Sequence, residues 1–388
     1  MRWQWKIPDW PRPKRWMPGW PQPPPGSLKR FMDLFRAKHY SRPDELFFAI
    51  DELPAMGKEY WFLQFCAPPG LEQVVITAGR SVDSVQVNKT AVKSKSAGAA
   101  PASGPSGSGP SARSALASAA DPPPVSCAAV CWYYSKKRRV VIDSLSDVRM
   151  HQIKGGHRLS IAQGKRLVEI KGRYPHYQIT LVHNGKTVFM AHAHKSKLRP
   201  SESGAPYEMV HLLKNPIARR FGAAMVNYYF DFEGTLEGKP LCGKAYLQKV
   251  VAVMPLAPWN WVRIHFSGGG VLDFFAGKPL GNSRPAMHFE CNDYLEVKGR
   301  KVRLGNVSLT SWLEGEKRRW LLSGPHCMLA MESYALQTFS MKQKTKFEYD
   351  EYLVKVTDFV YMRGTTHCTL KDLGPGVGLV EDARGYLI

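Results

Sequence analysis

A chain of 388 residues with 44% hydrophobic and 11% aromatic side chains is long enough for two or three domains and apolar enough for a core, which excludes general disorder. Its net charge of +22 favours contact with something acidic, whether nucleic acid, an anionic membrane surface or an acidic ligand, without choosing among them. The seven cysteines are scattered and no pair has CxxC spacing, so neither a disulfide framework nor a zinc ribbon is indicated, and a reducing cytoplasm is the simplest compartment.

Residues 1–26 hold five tryptophans (Trp3, Trp5, Trp10, Trp16 and Trp20) among eight prolines. Proline at that density prevents a helix or an interior strand, so the segment reads as an extended arm whose tryptophans need cover. Docking on the chain's own fold supplies that cover. A lipid headgroup interface, which suits Trp beside Lys and Arg, is the alternative and would make the protein peripheral to a membrane. Residues 27–39 follow with helical spacing: Leu28, Phe31, Met32, Leu34 and Phe35 form an apolar stripe opposite basic residues. The start of the chain has no long apolar h-region, and no uncharged apolar run approaches the ~20 residues of a membrane span. Residues 1–44 are therefore set apart as a basic arm and short helix.

From residue 45 the pattern turns to strands. Residues 45–215 read as a first β domain, interrupted by 91–124, which are almost wholly Ala, Ser, Gly and Pro and cannot bury a core. The runs Arg166–Ile170, Gln178–Val182 and Thr187–Ala191 alternate, and Asn184-Gly185 is the strongest hairpin signal. With the register that this turn sets, His192 and His194 share a mostly apolar face with Tyr177, Ile179, Val188 and Met190. A metal site needs a third ligand, so these read as structural histidines and no metal is assigned. A Pro-containing stretch at 201–216 marks the division, and residues 216–388 read as a second β domain. There Asn227–Glu233 and Gly243–Val253 pair as a hairpin, and a second hairpin lies within Pro255–Ala276. Further strands are expected at Asp293–Val297, Arg300–Ser308, Trp320–Leu322 and Glu351–Tyr361. Many antiparallel strands with few helices make the class all-β, as barrels or sandwiches.

Three stretches in the second half carry a resemblance to a known family. Asn227-Tyr-Tyr-Phe-Asp-Phe-Glu-Gly234 looks like its tyrosine-rich strand and turn, Cys242-Gly-Lys-Ala-Tyr-Leu-Gln248 like its following strand, and Pro258-Trp-Asn-Trp-Val-Arg-Ile-His-Phe266 like its Trp-x-Trp strand. Glu59-Tyr-Trp-Phe-Leu-Gln64, Gly155-Gly-His-Arg-Leu159 and Gly376-Val-Gly-Leu-Val-Glu-Asp382 are weaker echoes in the same order. The chain thus resembles the AttH-like group that includes hydroxyneurosporene synthase, a carotenoid hydratase, with tocopherol cyclase and lipocalin-like pericyclases as relatives. The resemblance implies two lipocalin-like antiparallel β-barrel domains packed together and an apolar small-molecule ligand, often an isoprenoid or polyene. It does not imply one reaction, because the fold hosts several. The family's hydratases carry an acid where this chain has Gln248, and an amide cannot donate the proton that olefin hydration needs.

The candidate site follows from the strand Trp259–Phe266. One face carries Trp259, Trp261, Arg263 and His265; the other carries Asn260, Val262, Ile264 and Phe266. The first face has the composition of a ligand cavity, aromatic with a few polar groups, and the second is expected to pack on the other barrel or a helix. Trp259 and Trp261 would shape the cavity and face a transient carbocation, Arg263 would orient a polar ligand end, and Tyr229 and Tyr246 complete the binding set. Asp231, which alternates with Tyr229 and Glu233 on one strand, is the acid that would replace the one missing at Gln248; His265 is the other proton-handling candidate. A plainer reading makes the tryptophans core and Asp231 a solvated acid. The expected function is binding and cofactor-independent transformation of an apolar molecule by isomerisation, cyclisation or hydration. A non-catalytic lipid or pigment carrier is the alternative, and a basic nucleic-acid-binding protein the lesser one.

Overall fold

The structure is a computed structural model that describes residues 43–48, 53, 57–81, 85–88, 90–92, 125–153, 156–195, 207–211, 222–253, 256–278 and 287–387. The Trp/Pro arm, the apolar stripe of residues 27–39 and all but the start of the Ala/Ser/Gly/Pro insertion lie outside the described residues.

The strands in chain order begin with β1 (Gly57–Cys66), β2 (Gln73–Ser81), the short β3 (Val85–Val87) and β4 (Thr90–Val92), β5 (Val125–Ser135), β6 (Arg138–Ile153), β7 (Gly156–Gln163) and β8 (Arg166–Arg173). They continue with β9 (His176–His183), β10 (Lys186–Lys195), β11 (Tyr207–His211), β12 (Gly222–Leu236), β13 (Lys239–Val253), β14 (Trp259–Phe266), β15 (Val271–Gly277) and β16 (Met287–Val297). The last are β17 (Arg300–Arg303), β18 (Ser308–Glu314), β19 (Lys317–Ser323), β20 (Cys327–Lys342), β21 (Lys346–Arg363), β22 (Thr366–Thr369) and β23 (Gly376–Gly385).

They form two curled antiparallel sheets, so the class is all-β, as expected. The 11-stranded sheet runs β10-β9-β8-β7-β6-β5-β2-β1-β13-β12-β11, and β10 also pairs with β12, which closes it into a barrel. Its interior is apolar: Trp61, Leu63 and Phe65 of β1 meet Phe189, Phe230, Phe232 and Leu247. A one-turn helix, Pro43–Phe48, adds Phe47 and Phe48 to that core. It is held by the Trp61 indole, which donates to the Phe47 carbonyl at 2.7 Å, and by Asp44, which accepts from the Tyr174 amide and the Tyr177 hydroxyl. At the rim, Glu237 in the β12–β13 turn accepts from Arg138 at 2.7 Å and from Tyr133 at 3.1 Å, and pairs with Lys136 at 3.0 Å.

The 12-stranded sheet runs β17-β16-β15-β14-β23-β21-β20-β19-β18, with β22 added to β21 and the β3–β4 pair added to β20. Val262, Ile264, Phe266, Phe274, Leu329 and Val354 belong to its own core. A third apolar cluster, including Phe62, Val75, Trp132, Tyr246, Trp261, Phe347 and Leu379, lies where the outer faces of the two sheets meet.

The division of the chain differs from the sequence reading. β12 and β13, expected in the second domain, are hydrogen-bonded into the first barrel, β13 on β1 and β12 on β10. The sheets therefore divide after Val253, not at 215/216. The open edge of β1 needs a partner, and β13 supplies it; β11, inside the Pro-containing stretch, stays in the same sheet beside β12. In return β3 leaves the first half and pairs with β20.

Two local expectations also change. The Asn184-Gly185 turn is present, with φ of 53° and 77°, but a bulge between Thr187 and Phe189 shifts the register by one residue. Phe189, Ala191 and Ala193 consequently point inward with Tyr177 and Ile179, while His192 and His194 turn outward beside Gln178 and His176. His194 sits 4.0 Å from Glu233. Among the described residues no group of His, Cys, Asp and Glu is placed to hold a metal, and no helix is long and apolar enough to cross a membrane. The strand expected at Arg300–Ser308 stops at Arg303, because Gly305 takes φ +84° and turns the chain.

Candidate functional site

Alternation gives each strand at the meeting of the sheets one face for its own core and one for the opposite sheet. On β14, Val262, Ile264 and Phe266 fill the second sheet's core. Trp259, Trp261, Arg263 and His265 therefore face the first sheet, the reverse of the expected packing. The mainly apolar face goes to the second sheet's core, and the Trp/Arg face to the seam, where Asp273 and Tyr229 meet its polar groups. On β13, Ala245 and Leu247 enter the barrel and leave Tyr246 and Gln248 at the seam; on β12, Tyr228, Phe230 and Phe232 do the same and leave Asn227 and Tyr229.

Arg263 is the centre of this seam and is wholly buried. Its guanidinium lies 3.4 Å from the centroid of the Tyr246 ring and 5.0 Å from those of Tyr229 and Trp261. It forms an ion pair with buried Asp273, directly opposite on β15, and donates to the Tyr229 hydroxyl at 3.3 Å. Asp273 also accepts from the Trp261 indole at 2.6 Å, and Tyr229 shares a hydrogen bond of 2.8 Å with Tyr294. Burial alone would lower the pKa of Arg263; the Asp273 carboxylate and the tyrosines outweigh it, so the guanidinium stays charged. The Gln248 amide donates to Asn227 at 3.0 Å and to the Tyr246 hydroxyl at 2.8 Å, which puts it on the same face as Trp261.

The proposed proton handlers separate. Asp231 lies one step beyond the Tyr229–Tyr246 pair and is ion-paired with Lys244 across the hairpin, with 23% of its side chain exposed. His265 is buried on the seam face of β14, opposite Val271 and Val377.

Two carboxyls that the sequence reading did not single out hold the stronger position. Trp261 of β14, Glu381 of β23 and Glu351 of β21 are direct register partners in one row across the second sheet. Both glutamates are buried, at 0% exposure for Glu351 and 2% for Glu381. Glu351 accepts from the Trp132 indole at 2.5 Å and from Thr77 at 3.0 Å, both in the first sheet. Glu381 accepts from the Trp259 indole at 2.9 Å, and the Tyr349 hydroxyl lies against both carboxyls. Burial raises the Glu351 pKa to about 7. Burial, reinforced by the neighbouring Glu351 charge, raises that of Glu381 to about 8. Their sequence signal is an acid inside an apolar strand, as in Leu379-Val-Glu381. Asp273, Asn227 and Tyr294 were likewise missed, since each is legible only through its cross-strand or cross-sheet partner.

No family model matches the chain, and no curated protein sequence matches it. By structure it is similar to CghA, with 9% identity over 85% of this chain and 88% of that one and a TM-score of 0.41. A structure of CghA with Sch210972 gives 9% identity, the same coverage and a TM-score of 0.40. Kievitone hydratase from Nectria haematococca gives 11% identity over 84% of this chain and 88% of that one, with a TM-score of 0.34. Identities this low leave the chemistry to be read from this chain's own residues.

Proposed function

We propose that this protein binds a small, mainly apolar molecule in the seam between its two sheets and transforms it by protonation, with the Glu351–Glu381 pair as the proton source. Hydration, isomerisation and cyclisation are the reactions that such chemistry serves. The observation that carries the reading is the pair itself: two buried carboxyls in register, walled by Trp132, Trp259 and Tyr349, with pKa values near 7 and 8. A carboxyl still protonated at neutral pH is matched to general-acid work, and apolar surroundings are the means by which proteins arrange it. The faces of Trp259 and Trp261 favour a cation formed beside them. On this reading Gln248 is a positioning residue for Tyr246, and the acid it lacks is supplied from the opposite sheet.

The test is incubation of the purified protein with a total lipid and pigment extract, followed by mass spectrometry of what is retained and what is changed. The wild type should retain a small molecule and alter it. The Glu351→Gln/Glu381→Gln variant should retain it unaltered. Retention without alteration by the wild type would make the protein a carrier and end the catalytic reading.

A further inference from the structure

The seam contains three buried polar atoms of opposite need close to one ring. Arg263 uses only Nη2, toward Asp273 and Tyr229; Nε and Nη1 have no hydrogen-bond partner although the side chain is wholly buried. An unmatched buried donor carries the desolvation cost of that group, so two on one cation call for an explanation. Gln64 of β1, also at 0% exposure, lies directly opposite Tyr246, the ring on which Arg263 stacks. The orientation of its amide is fixed by a chain of bonds. Gln73 donates its amide N–H to the Gly378 carbonyl at 3.0 Å and to Tyr334 at 2.6 Å, so its oxygen must accept from the Gln64 NH2, at 3.1 Å. That leaves the Gln64 Oε1 buried without a donor.

Resting on the ligand site argued above, we propose that Arg263 and Gln64 read the polar end of the ligand. The ligand is therefore not a pure hydrocarbon. It carries an oxygen acceptor, taken by Arg263, and a hydrogen-bond donor, given to Gln64, as a hydroxy ketone, a protonated carboxyl group or a carboxamide does. The apolar remainder lies along the Trp259 and Trp261 side of the seam, where Glu381 pairs in register with Trp261 and Leu379 with Arg263. A hydrocarbon in the same place would leave all three polar atoms unmatched, and sites with unmatched buried groups discriminate strongly against ligands that lack the partner.

The experiment uses two fluorescent polyene probes of one chain length, parinaramide and the corresponding octadecatetraene, which differ only in the terminal carboxamide. The full-length wild type should bind the amide about tenfold or more tightly than the hydrocarbon, the equivalent of about 1.4 kcal/mol. Gln64→Met should remove most of that preference. Arg263→Met alone strands the Asp273 carboxylate, so Arg263→Met/Asp273→Leu is the paired variant, and it should lose the preference too. Equal binding of the two probes by the wild type, or a preference that survives both variants, overturns the assignment while leaving a seam that binds apolar molecules. Failure of both probes to bind overturns the assignment and the seam site together. Loss of turnover in Glu351→Gln/Glu381→Gln with amide preference intact bears on the acid pair alone.

Discussion

The interior of the first barrel and the seam between the sheets are built from the same strands, yet they bury opposite kinds of side chain. β13 sends Leu247 inward to Phe65 and Phe232, and holds Tyr246 and Gln248 out against the other sheet. The interior is filled mainly by apolar and aromatic side chains, and the Trp61 indole and Tyr177 hydroxyl within it are bonded to Phe47 and Asp44 of the short helix. The seam holds Arg263, Asp273, Glu351, Glu381 and Gln64 at exposures of 2% or less. Burying ionisable groups is a poor way to hold two sheets together, since apolar side chains of similar volume do so at least as well. The contrast therefore fits a molecule whose stability resides in the interior and whose proposed chemistry resides in the seam.

The comparison breaks or sharpens under substitution. Phe232→Ala in the barrel should cost about 3–5 kcal/mol in urea denaturation and leave the pH dependence of stability unchanged. Asp273→Asn should cost a similar ~3–5 kcal/mol by stranding a buried cation, whereas Arg263→Met/Asp273→Leu should be neutral or stabilising. If the double variant is as damaged as the single, the ion pair is structural and the division of labour fails.

The glutamate pair should next set a pH dependence of its own. Raised folded-state pKa values, about 7 and about 8 against an ordinary 4.5, mean that the folded protein keeps protons that the unfolded chain has released. Stability contributed in this way is present at acid pH and is lost as pH rises through the two values, on the order of 7 kcal/mol between pH 5 and 9 if both groups titrate independently. Thermal melts across that range should slope downward for the wild type and flatten for Glu351→Gln/Glu381→Gln. An unchanged slope would mean that the pair is ionised or solvated.

The rim and the edge give smaller effects. Glu237 has a pKa lowered to about 2: partial burial opposes the shift, and the bonds from Lys136, Arg138 and Tyr133 outweigh it. Its contribution is present above the unfolded value near 4.5 and disappears as pH falls through about 2. Because Lys136 and Arg138 are largely exposed, Glu237→Gln should cost only about 1 kcal/mol at neutral pH. Trp312, 46% exposed on β18, belongs to neither region, and Trp312→Ser should change the melting midpoint by the equivalent of about 0.5 kcal/mol or less.

Much of this was legible in local pattern. The alternation of Tyr228, Phe230 and Phe232 against Tyr229 names the two faces of β12, and Asn184-Gly185 names the turn between β9 and β10 because both residues must take positive φ. What was not legible depends on distance along the chain or on a single residue. Nothing near β1 announces that its partner is β13, and the Pro-containing stretch at 201–216 is the stronger local signal of a division. The bulge at Val188 reversed His192 and His194, because period-two alternation turns a one-residue slip into a change of face. Trp259, Trp261 and Arg263 could be picked out by their own strangeness on a strand. Glu351 could not, since an acid two residues from Tyr349 looks like a solvated strand face until the opposing Trp132 and Thr77 are in place, and Glu381 is given its place only by Trp259 on the neighbouring strand.

The position of β1 also has a consequence in time. It lies between β2, which follows it closely, and β13, which a ribosome delivers only after β5 to β12 have been made. Throughout that interval Phe62, Gln64 and Cys66 line a strand with one bare edge, a ready template for any neighbouring nascent chain. Sheets stitched by such remote pairings fold slowly. Expression at low temperature or with a holdase chaperone is therefore expected to raise the soluble yield more than any stabilising change made to the finished barrel.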